Sequence, residues 1–411
     1  MAKLGDFISP AKNIKCGDGK YPVLSMTMHD GIVLQSDRFK KSLASADQSG
    51  YKVVDYGQLV VGFPIDEGVL YLQRVIEQGI MSPAYNVWDV DYSHVDPSYF
   101  ELSLHSPQAM QYYKENLRGS TARRRSLPKE VLLELPLKMP SMDEQKRVAT
   151  SIDKLTHLID MRSKQLDKLD ELVKSRFIEM FGDPEFNTKQ WPTKKLSQLC
   201  SISSSKRVYK HDLSLEGIPF LRISDLNELI DNIENTPELF IPNDKFNELK
   251  NNGLVPNAGD ILVTSRGTLG RCYIVKECDE FYFQDGMISW LSNLDSQLTN
   301  MYLSHLFMTS GIQKQIESLQ AGSTVTYLSI AMLKILNIIL PPLDLQNQFA
   351  DFVAQVDKSK LVAQRGLQQL KFLLSVKRDG LLTHVKGACT WIQGLNRRSC
   401  RKFVSWQRGM R

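Results

Sequence analysis

The chain repeats itself, and the repeat constrains its architecture more tightly than any single motif. Pro140-Ser-Met-Asp-Glu-Gln145 returns as Pro341-Pro-Leu-Asp-Leu-Gln346, displaced by 201 residues. A fixed displacement marks a duplicated unit. Behind each motif runs a pattern in which core positions alternate steps of four and three, the seam of a coiled coil. In the first copy these are Val148, Ile152, Leu155, Ile159, Arg162, Leu166, Leu169, Val173, Arg176 and Met180. The same displacement gives Phe349, Val353, Val356, Lys360, Ala363, Leu367, Leu370, Leu374, Lys377 and Leu381. Eight of the ten are apolar in each copy, so these are duplicated elements and not two accidental amphipathic helices. Arg162 and Lys360 interrupt the seam, and Arg176 and Lys377 sit at its equivalent end. Their aliphatic stems can cover the seam while their charges reach water; the competing reading is that the seam opens there to receive another subunit. About five heptads at 1.5 Å per residue predict a rod of roughly 50 Å, and the economical partner for each helix is the other copy.

Looser matches precede each helix. Lys3-Leu4-Gly5-Asp6-Phe7-Ile8 resembles Lys195-Leu196-Ser197-Gln198-Leu199-Cys200, and Tyr21-Pro22-Val23-Leu24-Ser25 resembles Ile218-Pro219-Phe220-Leu221-Arg222. Tyr56-Gly57-Gln58-Leu59-Val60-Val61 resembles Ala258-Gly259-Asp260-Ile261-Leu262-Val263, and Arg118-Gly119-Ser120-Thr121 resembles Ala321-Gly322-Ser323-Thr324. Gly57–Val61 and Asp260–Thr264 read as strands after a glycine turn, and Met301–Ile316 as one helix. Gly182-Asp-Pro184 stops the first long helix, and 181–190 is the clearest linker. The predicted fold is mixed α/β: a globular domain over 1–138, a long helix region over 139–182, a second domain over 183–339, a second helix region over 340–385, and a basic tail over 386–411 expected to be disordered. The two helices should pair antiparallel, with an approximate two-fold relation between the copies.

Bulk properties exclude more than they assign. The net charge of +5 comes from the tail: seven basic and no acidic residues follow Val385, which leaves residues 1–385 at −2. Overall charge is therefore no argument that the body binds nucleic acid. The six cysteines form no Cys-x-x-Cys pair, so neither a zinc site nor a disulfide framework is expected, and reduced thiols fit the cytoplasm. The first residues lack the apolar stretch of a signal peptide, and no run approaches the roughly 18 apolar residues of a membrane span. There is no Gly-x-x-x-x-Gly-Lys-Ser/Thr for nucleotide phosphates, no Asn-Pro-Pro-Tyr for adenine methylation, no Phe-x-Gly-x-Gly for S-adenosylmethionine, and no nuclease cluster of Asp and Glu-x-Lys. A catalytic enzyme would need a carboxylate, His or Cys constellation that the sequence does not offer.

The stretch Glu171-Leu-Val-Lys-Ser-Arg-Phe-Ile-Glu-Met-Phe-Gly-Asp-Pro184, Trp191-Pro192 ahead of Lys195-Leu196, the paired motifs ending in Gln145 and Gln346, and Gly79-Ile80-Met81-Ser82-Pro83-Ala84-Tyr85 together resemble the specificity subunit family of type I restriction-modification enzymes. Each motif is weak alone; their order and duplication make the resemblance specific, and it covers residues 1 to about 385. It implies two target recognition domains, each reading one half of an asymmetric bipartite site on double-stranded DNA. It also implies docking of two methyltransferase subunits that bring S-adenosylmethionine, and of restriction subunits that bring ATP and Mg. No cofactor or metal is expected in this chain itself. The competing class is a coiled-coil scaffold for protein partners only, which would leave the two globular copies without a purpose.

Phosphate contacts call for Lys, Arg, hydroxyls and free amides, and base readout for side chains that reach groove edges. Four clusters fit. Arg118, Arg123, Arg124 and Arg125 surround a turn with Ser120 and Thr121; the counterpart in the second copy is Ser323 and Thr324, followed by Thr326 and Tyr327. Lys206, Arg207, Tyr209 and Lys210 interleave cations with an aromatic ring. Thr264, Ser265, Arg266, Thr268 and Arg271 follow a strand on a Gly-rich loop. Arg222 is a weaker candidate that an ion pair could equally employ. His29 and His211 are expected to be loop or core histidines and not catalysts.

Overall fold

A computed structural model describes residues 2–28, 30–38, 47–117, 127–233, 237–320 and 326–380. The chain divides into two compact units, one of residues 1–163 and 365–411, the other of 164–364. Two long helices, Met142–Phe181 of 40 residues and Leu343–Gly380 of 38 residues, each contribute one part to each unit. At 1.5 Å per residue each spans about 60 Å, somewhat longer than the heptad count predicts.

Within the first unit, the four-stranded sheet runs Ile8–Pro10, Asn86–Val90, Leu59–Val61, Leu70–Leu72, all antiparallel. Its central strand is an unbroken apolar run, Leu-Val-Val, because both faces are covered. Leu59 and Val61 join Trp88, Phe100, Leu104 and Tyr113 in one core, while Val60 points the other way to Leu24, Ile32, Val54 and Met81. The helices Pro97–Leu104 and Pro107–Asn116 supply the first of these cores; Asp96 and Ser106 cap them through their side chains, each with proline in the first turn.

The second unit reproduces this plan. Its sheet runs Ser201–Ser203, Ile288–Ser292, Ile261–Thr264, Cys272–Ile274, again antiparallel. Ile261 and Val263 pack with Tyr302, Leu303 and Phe307, and Leu262 packs on the opposite face with Tyr273 and Trp290. The parallel bridge of Val23 to Ile80 reappears as the parallel pair Phe220 with Tyr282. The stretch 301–316, expected as one helix, is two: Asn300–Phe307 and Ser310–Leu319. The break brings Gly311 against the backbone of Pro184 and Glu185, where an added Cβ would lie 2.7 Å from main-chain atoms.

The duplicated glutamines join each long helix to its own globular part. Gln145 is buried; its Oε1 accepts the backbone N–H of Asp96 at 2.9 Å, and its Nε2 donates to the carbonyls of His94 at 3.1 Å and Pro140 at 2.9 Å. Gln346 accepts from the N–H of Thr299 at 2.9 Å and donates to the carbonyls of Gln297 and Pro341, both at 2.9 Å. Asp96 and Thr299 are the N-caps of equivalent helices. Three residues further on, Tyr99 and Tyr302 donate their hydroxyls to the carbonyls of Lys138 and Ile339, again 201 apart.

The two long helices pack on each other within each unit. In the first unit Ala149 and Ile152 pack with Tyr99, and Leu374 of the second helix packs against them. In the second unit Val173, Phe177, Met180 and Phe181 meet Phe349, Val353 and Val356, and Ala363 is also buried. Residues later in one helix meet residues earlier in the other, so the pairing inside each unit is antiparallel. Leu155, Ile159, Leu166, Leu169, Leu367 and Leu370 are half-buried. Arg176 lays its guanidinium 5.7 Å from the Phe352 ring and pairs with Glu179, and Lys360 pairs with Asp170, so both cover the seam without breaking it. Arg162 and Lys377 are exposed, and Leu381 lies outside the described residues.

Two expectations follow. Replacing Gln346 by Leu keeps its volume but strands a backbone N–H and two carbonyls in the interior, so urea unfolding should register a loss of about 2–4 kcal/mol; a loss below about 1 kcal/mol would mean the amide merely fills space. His305 stands edge-on to Phe349 at 5.2 Å, and burial, with a smaller push from the Lys360 charge, lowers its pKa from 6.5 to about 4. The unfolded chain therefore takes up a proton that the folded chain refuses. Stability from this group is complete above about pH 6.5 and drains away toward pH 4, by roughly 3 kcal/mol in all. Urea midpoints of the native chain and of His305→Gln should diverge over that interval; parallel curves would refute the assignment.

Candidate nucleic-acid interface

The basic residues of the second unit fall into two groups once their partners are known. Ser204 and Ser205 donate to the carbonyls of Ile288 and Phe283, and the Tyr282 hydroxyl both accepts from the Lys206 N–H at 2.8 Å and donates to the Lys206 carbonyl at 3.0 Å. The loop after strand Ser201–Ser203 is thereby fixed, while Lys206, Arg207, Tyr209 and Lys210 remain exposed. Lys206 and Lys210 are exposed and have no carboxylate partner among the described residues. Tyr209 is 57% exposed and stacks on His211 with ring centroids 5.6 Å apart and planes 3° from parallel. An exposed, preassembled ring pair beside free ammonium groups can stack on a base or lie along a sugar-phosphate edge. Arg207 differs: its Nε donates to Asp285 at 2.9 Å.

The loop 264–271 separates in the same way. Thr264 and Ser265, expected to touch nucleic acid, are buried and hold the loop together. Thr264 Oγ1 donates to the Thr268 carbonyl and accepts from the Arg271 N–H, and Ser265 Oγ bonds to Ser289 Oγ at 2.8 Å. The sequence places them on an accessible turn; in the fold they end a strand covered on both faces. Gly267 and Gly270 have φ near +70° and turn the loop in a region that disfavours side chains. Arg266 and Thr268 are left exposed. The Arg266 guanidinium lies 5.6 Å from the Tyr327 ring, whose backbone Gln320 clamps on both sides at 2.7 and 3.0 Å. Arg271 instead bonds to Asn227 at 2.8 Å and to Asp231 at 3.1 Å, and Arg222 pairs with Asp225 and Glu238. These two arginines tie helix Ile223–Ile230 to the sheet and to the following loop.

Arg118, Ser120, Thr121, Arg123, Arg124, Arg125, Ser323 and Thr324 lie outside the described residues, as does His29. They belong to equivalent connections: the first lies between helices Pro107–Asn116 and Lys129–Leu133, the second between Ser310–Leu319 and Ile330–Ile335. In the first unit Lys12, Lys52 and Lys129 line one cavity, a convergence of positions too distant in sequence for any linear pattern to reveal.

Residues 188–371 match the family model of the type I restriction modification DNA specificity domain. A putative type I restriction enzyme specificity subunit from Haemophilus influenzae is 27% identical over 56% of this chain and 58% of its own length. The chain thus spans little more than half of that relative. The MjaVIII specificity subunit of Methanocaldococcus jannaschii is 22% identical over 90% of this chain and 89% of its own. The fold is similar to the crystal structure of a type I restriction-modification S subunit from M. genitalium, with TM-score 0.55, 14% identity, and 93% and 96% of the two chains covered. It is also similar to a structure describing complex assembly and conformational transition of a type I system, with TM-score 0.56, 16% identity, and 93% and 97% covered.

If the free cations carry the electrostatics, Lys206→Ala, Lys210→Ala and Arg266→Ala should each weaken DNA binding and lower the salt slope of log K by about 1 for each phosphate no longer neutralised. Arg222→Ala and Arg271→Ala should lower the melting temperature and leave that slope unchanged. Fluorescence anisotropy across a salt series separates the groups; equal slopes for all five would dissolve the distinction.

Proposed function

We propose that the chain is a specificity subunit of the type I restriction-modification kind, the non-catalytic subunit reading double-stranded DNA for such a complex. Its first globular part, residues 1–138, would read one half of an asymmetric bipartite target and its second, residues 183–339, the other. The observation that carries this reading is one fold built twice, with equivalent sheets and equivalent glutamine anchors but different outward-facing loops. Two copies of one plan suit two half-sites of one duplex, and unlike loops suit unlike half-sites. Lys206 and Lys210, which flank Tyr209 in the sequence, and Arg266 are exposed groups of the kind that such contact requires.

The long helices would space the two readers and dock two methyltransferase subunits, which supply S-adenosylmethionine. Restriction subunits would add ATP and Mg. The adenine methylation and cleavage belong in this scheme to those partners, and the chain works where the chromosome is, in the cytoplasm. No helix among the described residues is long and apolar enough to cross a membrane.

Exchanging residues 1–138 for those of a relative with another specificity, in the complex with its methyltransferase partner, should alter one half of the methylated motif and preserve the other. A change in both halves would exclude separate readers. An assembled complex protecting no discontinuous site at all would reduce the chain to a scaffold.

A further inference from the structure

The first unit contains a cavity of about 120 Å³ walled by the segment 10–13, by Lys52 and Val53, by Asn86, Val87 and Trp88, and by Lys129. Three of its lining residues are cations and none is acidic. Lys12 and Lys129 are exposed, Lys52 is half-buried, and none of the three has a carboxylate partner among the described residues. Lys52 Nζ donates to the Tyr85 carbonyl at 2.5 Å. Burial, and after it the charge of Lys129, lowers the Lys52 pKa, which is what converging ammonium groups without a counterion produce. Trp88 brings a second, independent observation. It is 2% exposed, and its Nε1 has no acceptor among the described residues. A buried indole N–H left unpaired is unfavourable. The equivalent position in the second unit, the residue paired with strand Ile261–Thr264 at Ile261, is Leu291, which has no donor to satisfy.

The wall is therefore rich in donors and positive charge and poor in acceptors. Ammonium groups only donate, as does the indole, and the side-chain amides of Asn13 and Asn86 can turn to donate as well. The complement is a small, acceptor-rich anion. At roughly 30 Å³ per water the cavity has room for about four waters, or for a tetrahedral oxyanion with one or two. We propose that Lys12, Lys52 and Lys129, with the Trp88 indole, form an oxyanion site of phosphate type in the first globular part. The anion neutralises three converging cations and gives the Trp88 N–H an acceptor. Its source is a backbone phosphodiester of the duplex or a free phosphate, which share this chemistry. The site does not rest on the DNA-reading role, because phosphate binding is measured without DNA.

The test uses the full chain with ¹⁵N-labelled tryptophan indoles, the Trp88 resonance being assigned by its loss in Trp88→Phe. Inorganic phosphate should shift that resonance saturably, whereas sodium chloride at matched ionic strength should not. Lys129→Met, at an exposed position that does not endanger folding, and Lys52→Met should each weaken the phosphate affinity roughly ten-fold. A short duplex lacking any target sequence that displaces phosphate identifies the backbone as the source; one that leaves phosphate bound identifies a free oxyanion. No saturable shift, the same shift with chloride, or an affinity unchanged in both lysine variants would overturn the site.

Discussion

Each long helix is tied to a globular part by one buried amide. A glutamine side chain has one acceptor and one bidentate donor, and here both are directed chiefly at the main chain. Gln145 and Gln346 accept the N-cap amide of a domain helix and donate back to the carbonyl of the preceding loop and to the proline that opens their own helix. The geometry of the helix entrance is thus set by hydrogen bonds and not by packing alone. Without them, an apolar seam would fix the rotation of the helix but leave its exit from the domain to loop conformation. The tyrosine one turn further on, Tyr99 or Tyr302, repeats the constraint by bonding to the strand that leads into the helix.

This anchor lets the rest of the duplication vary. A unit that must always deliver a helix in one direction needs an invariant junction and an invariant inner sheet. Its outer loops are free to change because they bear no part of that load. The second unit makes the point in its charge pairs. Arg222 and Arg271 are used internally to hold the helix Ile223–Ile230, while Lys206, Lys210 and Arg266 face solvent from loops that Tyr282, Thr264 and Gln320 have already made rigid. Rigid backbone under free side chains lowers the ordering cost of a contact.

Much of this architecture is legible in the sequence, and what is not has physical causes. The seam is readable because a period of three and a half residues leaves an unmistakable apolar register, and Arg176 and Lys360 are tolerated in it because Phe352 and Asp170 receive their charges. The motif around Gln145 stands out by its repetition, but its role does not, since the partners at Asp96 and Thr299 lie 49 and 47 residues away from their glutamines. The stretch 301–316 reads as one continuous helix because its apolar spacing survives the break at Met308 and Thr309; the contact that accompanies the break, Gly311 against Pro184 and Glu185, is tertiary. Thr264 and Ser265 have the composition of an exposed turn, yet burial decides their role. Residue type alone does not separate a hydroxyl that meets a ligand from one that closes a loop.

Charge in this chain, like its hydroxyls, takes its meaning from local surroundings. Net charge is a sum, and here the sum is governed by the last residues of the chain, while residues 1–385 are slightly acidic. What a ligand meets is the local remainder after each cation has found or failed to find a carboxylate. In the second unit that remainder includes Lys206, Lys210 and Arg266 on rigid loops; in the first it includes three lysines around one cavity. An acidic partner is attracted by such unpaired charge, screened over about 10 Å at ordinary salt, and not by a total. An acidic average over residues 1–385 and discrete anion-attracting surfaces are therefore compatible, and ion-pair bookkeeping, side chain by side chain, is what separates them.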